Sequence, residues 1–241
     1  MNSGCCQNNR PNTNEDAMPQ DARTPLHTRY GTGDPHAMRE RVHETLLAEI
    51  TGGTLPPGTP LDEEDTARRL DVPRVRVREV LLTLASQRLV EYTGTDSAHV
   101  THTSTAETRH TATVLHGLYR TALLTAPWPM TGDRVQAVRN CAAAHIRAAS
   151  AGDGGEALAC ELALWDTILH TCANPPLHDA VNHLKPVWQR GHRLHLPTSG
   201  VSDADWNPFL TACATGDRVQ ALHHLDQHWQ RIDRRLAHPG T

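Results

Sequence analysis

Apolar residues at helical spacing begin near Met38 and define the first regular element of the chain. Val42, Leu46 and Ile50 recur at intervals of four, which places them on one face of a helix. The glycine pair at 52–53 then supplies a helix stop. The pattern therefore predicts a first helix that starts near residue 38 and ends at this pair.

Two shorter helical patterns follow, separated by a break at Pro73. An acidic run at 62–65 is typical of a helix N-terminus, where negative charge meets the positive end of the helix dipole. The helix that it opens has Ala67 and Leu70 as apolar positions. A second helix starts at Pro73 and continues over 74–86, with Val77, Val80, Leu81 and Leu84 on its apolar face. Two short helices across a tight turn predict a helix-turn-helix.

The pattern after residue 86 changes first to a hairpin and then to long helices. Alternating apolar positions at 89–92 and 98–101, separated by a polar turn, predict a β-hairpin, which forms the wing of a winged helix-turn-helix. From residue 105 onward only helical periodicity is found, interrupted by Pro and Gly. We therefore predict a mainly α protein, with an N-terminal winged helix-turn-helix (α/β) followed by an all-α antiparallel helical bundle.

This pattern divides the chain into three parts. Residues 1–35 are rich in Asn, Thr, Pro and charge without periodic apolar positions, so we expect a disordered N-terminal arm. Residues 36–103 form the expected DNA-binding domain. Residues 104–241 form the expected domain for effector binding and dimerisation.

Composition limits the classes of partner. The formal net charge of −4 argues against a general affinity for polyanions, so a DNA-binding surface has to be local. No run of about 18 apolar residues is present, and we expect a cytoplasmic protein without membrane contact. The six cysteines show no C-x-x-C spacing, which argues against a zinc ribbon or a disulfide framework.

The second helix of the helix-turn-helix begins with three alternating arginines, Arg74, Arg76 and Arg78. A recognition helix uses its N-terminal residues in the major groove, where arginine binds guanine in a bidentate manner or neutralises phosphate. Solvated surface arginines are the alternative interpretation, because the acidic run before them keeps the region from being basic overall.

The sequence of residues 39–101 resembles that of the winged-helix domain in the GntR family of bacterial regulators. The shared positions are Ile50, Gly53, Leu55, Pro57, Gly58, Leu61, Ala67, Leu70, Val72, Arg74, Val77, Arg78, Glu79, Leu81, Leu84, Leu89 and Val90. In that family two arginines of the recognition helix contact DNA. The resemblance assigns this role to Arg74 and Arg78.

Four positions depart from the family pattern. Pro73 stands where a Ser or Thr usually precedes the first arginine, and Glu64 replaces an arginine of the preceding helix. Ser97 stands near the wing tip in place of a glycine, and Arg76 replaces a smaller residue that faces the bases. The predicted DNA-contact set is Pro73, Arg74, Arg76, Arg78 and Ser97.

The C-terminal part resembles the helical ligand domain of the FadR-type branch of that family. The landmarks are Asn174-Pro175-Pro176-Leu177 at a helix boundary and Ala214-Thr215-Gly216-Asp217 between two helices. This branch commonly holds a divalent metal through an Asp and three His, and the metal orients a carboxylate effector. The landmarks place these four ligands at Glu161, Trp165, Trp206 and His228.

Two of these four positions are tryptophans, whose only heteroatom is an indole N–H donor that cannot bind a metal. We therefore expect no cofactor, and an effector pocket formed by Glu161, Trp165, Trp206 and His228. The alternative is that the two indoles only fill the space that the metal and the effector would occupy, which leaves a solid core.

A shifted metal site is a second alternative. Asp166 and His170 share a helix face, and His223 or His224 could join them. Because the chain has 17 histidines, such pairs also arise by chance.

These features predict a transcription regulator. No phosphate loop, nucleophile elbow or paired-cysteine motif is present, so an enzyme is not expected. The resemblance implies a homodimer on a pseudo-palindromic DNA operator, and a repressor released when a small-molecule effector binds. A tryptophan-lined site without metal points to a larger, less acidic effector such as a secondary metabolite. Two alternatives are a regulator with a metal-dependent effector site and a DNA-binding dimer without an effector.

Overall fold

The computed structural model describes residues 34–94, 97–196 and 206–237. Most of the N-terminal arm predicted at 1–35 lies outside these residues. The fold class is confirmed: a small winged helix-turn-helix with a three-stranded sheet precedes a domain made of helices.

Helix α1 spans Pro35–Gly52 and begins three residues before the predicted start. The Asp34 side chain accepts a hydrogen bond from the His36 backbone N–H, and Pro35 suits the first helical position. The helix ends at Gly53, whose φ of 83° is the left-handed conformation that glycine adopts without strain. Its apolar stripe is buried, as predicted.

Strand β1 (Pro60–Asp62) precedes the helix-turn-helix, in which α2 spans Glu63–Leu70 and α3 spans Arg74–Ser86. The acidic run acts as a cap, because the Asp62 side chain accepts hydrogen bonds from the backbone N–H groups of Glu64 and Asp65. Pro73 was predicted as the first helical residue, but it lies at the N-cap of α3, and its side chain makes no capping hydrogen bond.

Strands β2 (Val90–Tyr92) and β3 (Ser97–Val100) form the predicted wing. The sheet has the order β1-β3-β2, with both pairings antiparallel and Leu61 opposite Ala98. Strand β1 was not predicted, because three residues are too few to show a period of two.

In the described part of the second domain six helices are found: α4 (Thr105–Thr125), α5 (Gly132–Ser150), α6 (Gly154–Leu169), α7 (Pro175–His195), α8 (Asn207–Thr215) and α9 (Arg218–Ala237). Breaks predicted from Pro and Gly at 127–132, 152–155 and 174–176 lie at or beside the helix boundaries, whereas those predicted at 196–200 and 239–240 lie almost entirely outside the described residues. Helix α4 packs between α7 and α9, and α5 packs on α6. The apolar faces meet in one core that contains four of the five tryptophans, Trp165, Trp188, Trp206 and Trp229.

Helix α7 also connects the two domains. Val187 packs against the core of the winged helix. The buried Arg190 guanidinium donates hydrogen bonds to the backbone oxygens of Leu89 and Thr101 and to the hydroxyls of Thr101 and Thr103. Burial of its side chain lowers the pKa of Arg190. One arginine of the bundle thus fixes both ends of the wing segment.

Candidate DNA interface and effector site

Two of the predicted DNA-contacting arginines share one buried carboxylate. Arg74 Nε lies 2.9 Å from Glu63 Oε2, and Arg78 Nε lies 3.9 Å from Glu63 Oε1. Glu63 is fully buried, whereas the side chains of Arg74 and Arg78 stay 42% and 49% exposed. Tyr92 of the wing donates a hydrogen bond to the same carboxylate, with its hydroxyl 3.3 Å from Oε1. The carboxylate therefore orients both arginines while their surfaces stay accessible.

Sequence reasoning missed this role of Glu63. It lies in the acidic run, which was interpreted only as charge complementary to the helix dipole. The missed signal is an acidic residue in the first turn of one helix, followed by two arginines at the start of the next. The tight turn between α2 and α3 brings these positions together. The position of Tyr92 on the neighbouring strand was not readable before the sheet order was known.

The other predicted DNA contacts have different environments. Arg76 Nη1 lies 2.9 Å from the Glu79 carboxylate one turn later on the same helix, and its side chain is 29% exposed. Pro73 precedes the helix, and Ser97 is an exposed residue at the start of β3. The structure thus places Pro73 and the three arginines around the start of α3, and Ser97 on the wing.

The four predicted effector residues come together inside the bundle. Glu161 and Trp165 lie one turn apart on α6, Trp206 precedes α8, and His228 lies on α9. Trp165 and Trp206 are 1% and 4% exposed. Their ring centroids lie 5.9 Å apart, and each lies under 6 Å from the His228 ring.

Glu161 and His228 form the polar part of this cluster. His228 Nε2 lies 2.8 Å from Glu161 Oε1, and both side chains are largely buried. Burial by itself would raise the pKa of Glu161, but the charge and hydrogen bond of His228, followed by the charges of His192 and His145, lower it to about 2. The carboxylate therefore stays ionised in the core.

Buried polar atoms without a partner among the described residues lie around this pair. Nothing there accepts a hydrogen bond from the indole N–H of Trp165 or Trp206. His145 Nδ1 donates to the Ala157 backbone oxygen, so the acceptor nitrogen of the neutral ring, Nε2, is the atom without a partner. The His145 ring meets Trp206 edge-on at 5.7 Å. A buried donor without an acceptor costs about 1–3 kcal/mol. A ligand with acceptor oxygens that reached these groups would recover that cost.

The donor set does not fit a metal ion. Of the four positions that carry metal ligands in the FadR-type branch, only Glu161 and His228 have suitable atoms, and these bond to each other. Within the described residues, no group of three or more His, Cys, Asp or Glu side chains is arranged to hold a metal.

The shifted metal site is not assembled in the structure. Asp166 Oδ2 lies 2.8 Å from the Lys185 ammonium, and the exposed His170 ring meets His178 edge-on. On α9, His223 and His224 lie against each other, and His223 Nε2 is 2.9 Å from the Gln227 amide. The proposed ligands therefore have other partners.

Comparison with known proteins agrees with this architecture. Residues 38–100 match the bacterial regulatory proteins of the gntR family, and residues 114–231 match the FCD domain. No curated protein matches the chain.

Among solved structures, E. coli McbR/YncC has a TM-score of 0.70 at 18% identity, over 83% of this chain and 97% of that one. A protein of Rhodococcus sp. RHA1 described as a GntR transcriptional regulator has a TM-score of 0.71 at 17% identity, over 83% of this chain and 98% of that one. At these identities the likeness shows a shared fold.

A winged helix joined to a ligand-binding helical domain defines a class of ligand-responsive, DNA-binding regulators. The chain belongs to the GntR family, in its branch with an FCD effector domain. It is a transcription regulator and not an enzyme. No helix among the described residues has both the length and the apolar character to cross a membrane.

Proposed function

We propose that this regulator is a cytoplasmic homodimeric repressor that leaves a pseudo-palindromic operator when an effector binds near Trp165 and Trp206. The observation that carries the proposal is the cluster of Glu161, Trp165, Trp206 and His228. It combines buried aromatic rings with a hydrogen-bonded Glu–His pair and with indole N–H donors that have no acceptor among the described residues. Proteins rarely leave such donors buried without a functional reason.

The DNA contact assigned to Arg74 and Arg78 rests on their exposure and their shared carboxylate. Glu63 reduces the conformational freedom of both side chains, so less entropy is lost when they bind a base or a phosphate. A twofold dimer presents two such helices to two half-sites, which accounts for the expected symmetry of the operator.

Effector binding requires movement of the aromatic cluster, because the rings of Trp165, Trp206 and His228 contact one another in this structure. The chemistry of the cluster favours an organic molecule with an aromatic or apolar body and carbonyl or hydroxyl oxygens. Such a molecule stacks on the indoles and accepts their N–H groups. This matches a secondary metabolite better than a small, highly charged acid.

The DNA assignment is tested by fluorescence anisotropy on DNA from the upstream region of the gene and on scrambled DNA, at two salt concentrations. Arg74→Ala should weaken sequence-preferring binding by about 1–3 kcal/mol. Arg139→Ala, at an exposed position of α5, is the matched control and should bind like the native chain. Equal, weak binding of all three proteins to both DNAs would contradict the assignment.

The effector assignment is tested with a panel of organic ligands, by intrinsic tryptophan fluorescence and by release of labelled operator DNA. A ligand that releases the native protein should bind Trp206→Phe more weakly, because phenylalanine keeps an aromatic ring but lacks the N–H donor. If the panel changes neither fluorescence nor melting temperature while the purified protein contains a divalent metal, the proposal is wrong. Light scattering of the protein alone measures the dimer.

A further inference from the structure

A second cavity lies where the two domains meet, away from the aromatic cluster. It has a volume of about 810 Å³ and is bounded by the last turn of α1, the turn between α5 and α6, the start of α6 and the end of α7. Ligand pockets in proteins commonly have about 300–1,000 Å³. Half of the residues that line it are Gly or Ala, and a Cβ built on Gly52 or Gly152 would meet no atom within 4 Å.

The cavity contains the cationic side chain of Arg193. The exposed side chain of Arg193 extends from α7, and its Nε lies 2.7 Å from the position that a Cβ on Gly53 would occupy. On the other side, its Nη1 lies 4.0 Å from the Cβ position at Gly155. Within the described part of the chain, Arg193 forms no hydrogen bond and no ion pair. Its charge is thus available to a ligand.

The remaining groups show what such a ligand would meet. Leu158, Leu196 and Ala48 supply apolar surface. Asp153 is the one acid among the lining residues, and its Oδ1 accepts a hydrogen bond from the Glu156 backbone N–H at the start of α6. That bond places the Asp153 charge at the positive end of the helix dipole, and Arg193 is the arginine among the described residues that line the cleft.

We propose that this junction cleft binds a small organic anion with an apolar body, with the Arg193 guanidinium pairing with the anionic group. The apolar body lies between Ala48 of the winged helix and Leu158 of the bundle. A ligand held this way contacts both domains at once and favours their present arrangement. The cleft is distinct from the effector cluster proposed above, which lies in the bundle core; His192 lines the cleft and its charge also acts on Glu161 of that cluster.

The test uses 8-anilinonaphthalene-1-sulfonate, an aromatic anion, and N-phenyl-1-naphthylamine, its neutral counterpart, as fluorescent probes of the full-length protein. We expect saturable binding of the anionic dye. Arg193→Gln should weaken that binding about tenfold, the loss of one charge-assisted contact, while the neutral dye changes less than about twofold. Arg139→Gln is the control at an exposed arginine outside the cleft.

Two substitutions fill the cleft from opposite sides. Gly52→Leu projects from the winged helix, and Ala159→Trp projects from the bundle; each should abolish binding of the anionic dye. Ala163→Trp, one turn further along α6 and outside the cleft, should not. Having two filling variants keeps the test valid if one of them does not fold, as judged by circular dichroism.

The proposal is overturned if the anionic dye shows no saturable binding, or if both filling variants bind it like the native protein. If the filling variants abolish binding but Arg193→Gln does not weaken it, the assignment of an anion to this cleft is wrong. These measurements use no DNA and no substitution in the tryptophan cluster. A failure of the cleft proposal can therefore be distinguished from a failure of the proposed repressor function.

Discussion

Glu63 is the residue on which the geometry of the DNA-binding surface depends. A fully buried carboxylate is stable only if its charge is paired, and here Arg74 and Arg78 pair it from the next helix while Tyr92 donates from the wing. One acid thereby links both helices of the helix-turn-helix to the sheet.

Replacing Glu63 by Gln keeps the shape of the side chain but removes its charge. We expect the free energy of unfolding to fall by about 1–3 kcal/mol, because the two arginines lose their ion pairs with the carboxylate and keep only hydrogen bonds to a neutral amide. Denaturant titration measures this change. Glu64→Gln, at the exposed neighbouring position, is the control and should leave stability nearly unchanged. Equal stability of both variants would show that the buried carboxylate contributes nothing to the fold.

His192 makes stability depend on pH. Burial lowers its pKa to about 4, although the charge of Glu161 opposes this shift. An unfolded histidine takes up its proton near pH 6.5. Between these pH values the unfolded chain binds more protons than the folded chain does. The contribution of His192 to the free energy of unfolding is therefore fully present above about pH 6.5 and is lost as the pH falls towards 4.

The variant His192→Gln should therefore lose less stability on acidification than the native protein does. The difference between the two proteins should reach about 3 kcal/mol between pH 7 and pH 4. Thermal melts across this range measure it. His110→Gln, at an exposed histidine, should follow the native curve. Parallel curves for His192→Gln and the native protein would contradict the assignment.

At the scale of helices, the close approach of α4 and α7 depends on a glycine. A Cβ built on the buried Gly191 would lie 2.4 Å from Thr108 Oγ1 and 2.8 Å from its Cγ2. Glycine lowers the intrinsic stability of a helix, so its presence inside α7 is explained by this contact. The two helices can pack at this distance only because residue 191 has no side chain.

Gly191→Ala should destabilise the protein by about 1–3 kcal/mol through overpacking, although alanine is the better helix former. Gly117→Ala on α4 is the opposite case, since a Cβ there meets no atom within 4 Å. That variant should be neutral or stabilised by up to about 1 kcal/mol. Thermal denaturation of the two variants shows whether the steric contact at residue 191 or the helix propensity of alanine has the larger effect on stability.

At the scale of the whole molecule, α7 joins the effector domain to the DNA-binding domain. Trp188 lies in the aromatic core with its ring 5.5 Å from Trp229, and Arg190, two residues later, holds the ends of the wing segment. A displacement of the core at Trp188 therefore reaches the wing through the same turn of α7.

Arg190→Met keeps an unbranched apolar stem but removes the guanidinium and its hydrogen bonds to the backbone oxygens of Leu89 and Thr101. The Leu89 oxygen still accepts from the Thr101 backbone N–H, whereas the Thr101 oxygen loses the bond from Arg190, at an expected cost of about 1–3 kcal/mol. We expect calorimetry to show separate unfolding of the two domains where the native chain unfolds in one transition. Arg139→Met, on the surface of α5, should unfold like the native chain. One unshifted transition in Arg190→Met would mean that this arginine does not couple the domains.

The sequence alone determined the fold class and the elements of the winged helix apart from strand β1, because helix periodicity, caps and breaks are properties of neighbouring residues. It also placed Trp165, Trp206, Glu161 and His228 as one group, through resemblance to a family. The contacts inside that group, the bond between Glu161 and His228 above all, required the packed helices.

Only the tertiary structure decided what depends on residues far apart in the chain. The pairing of Glu63 with the recognition helix, the four bonds of Arg190 to the wing segment, and the cleft around Arg193 each join segments that no local pattern relates. Hydrophobic patterning specifies which face of an element is buried, but the partner of a buried charge is set by where the elements finally meet.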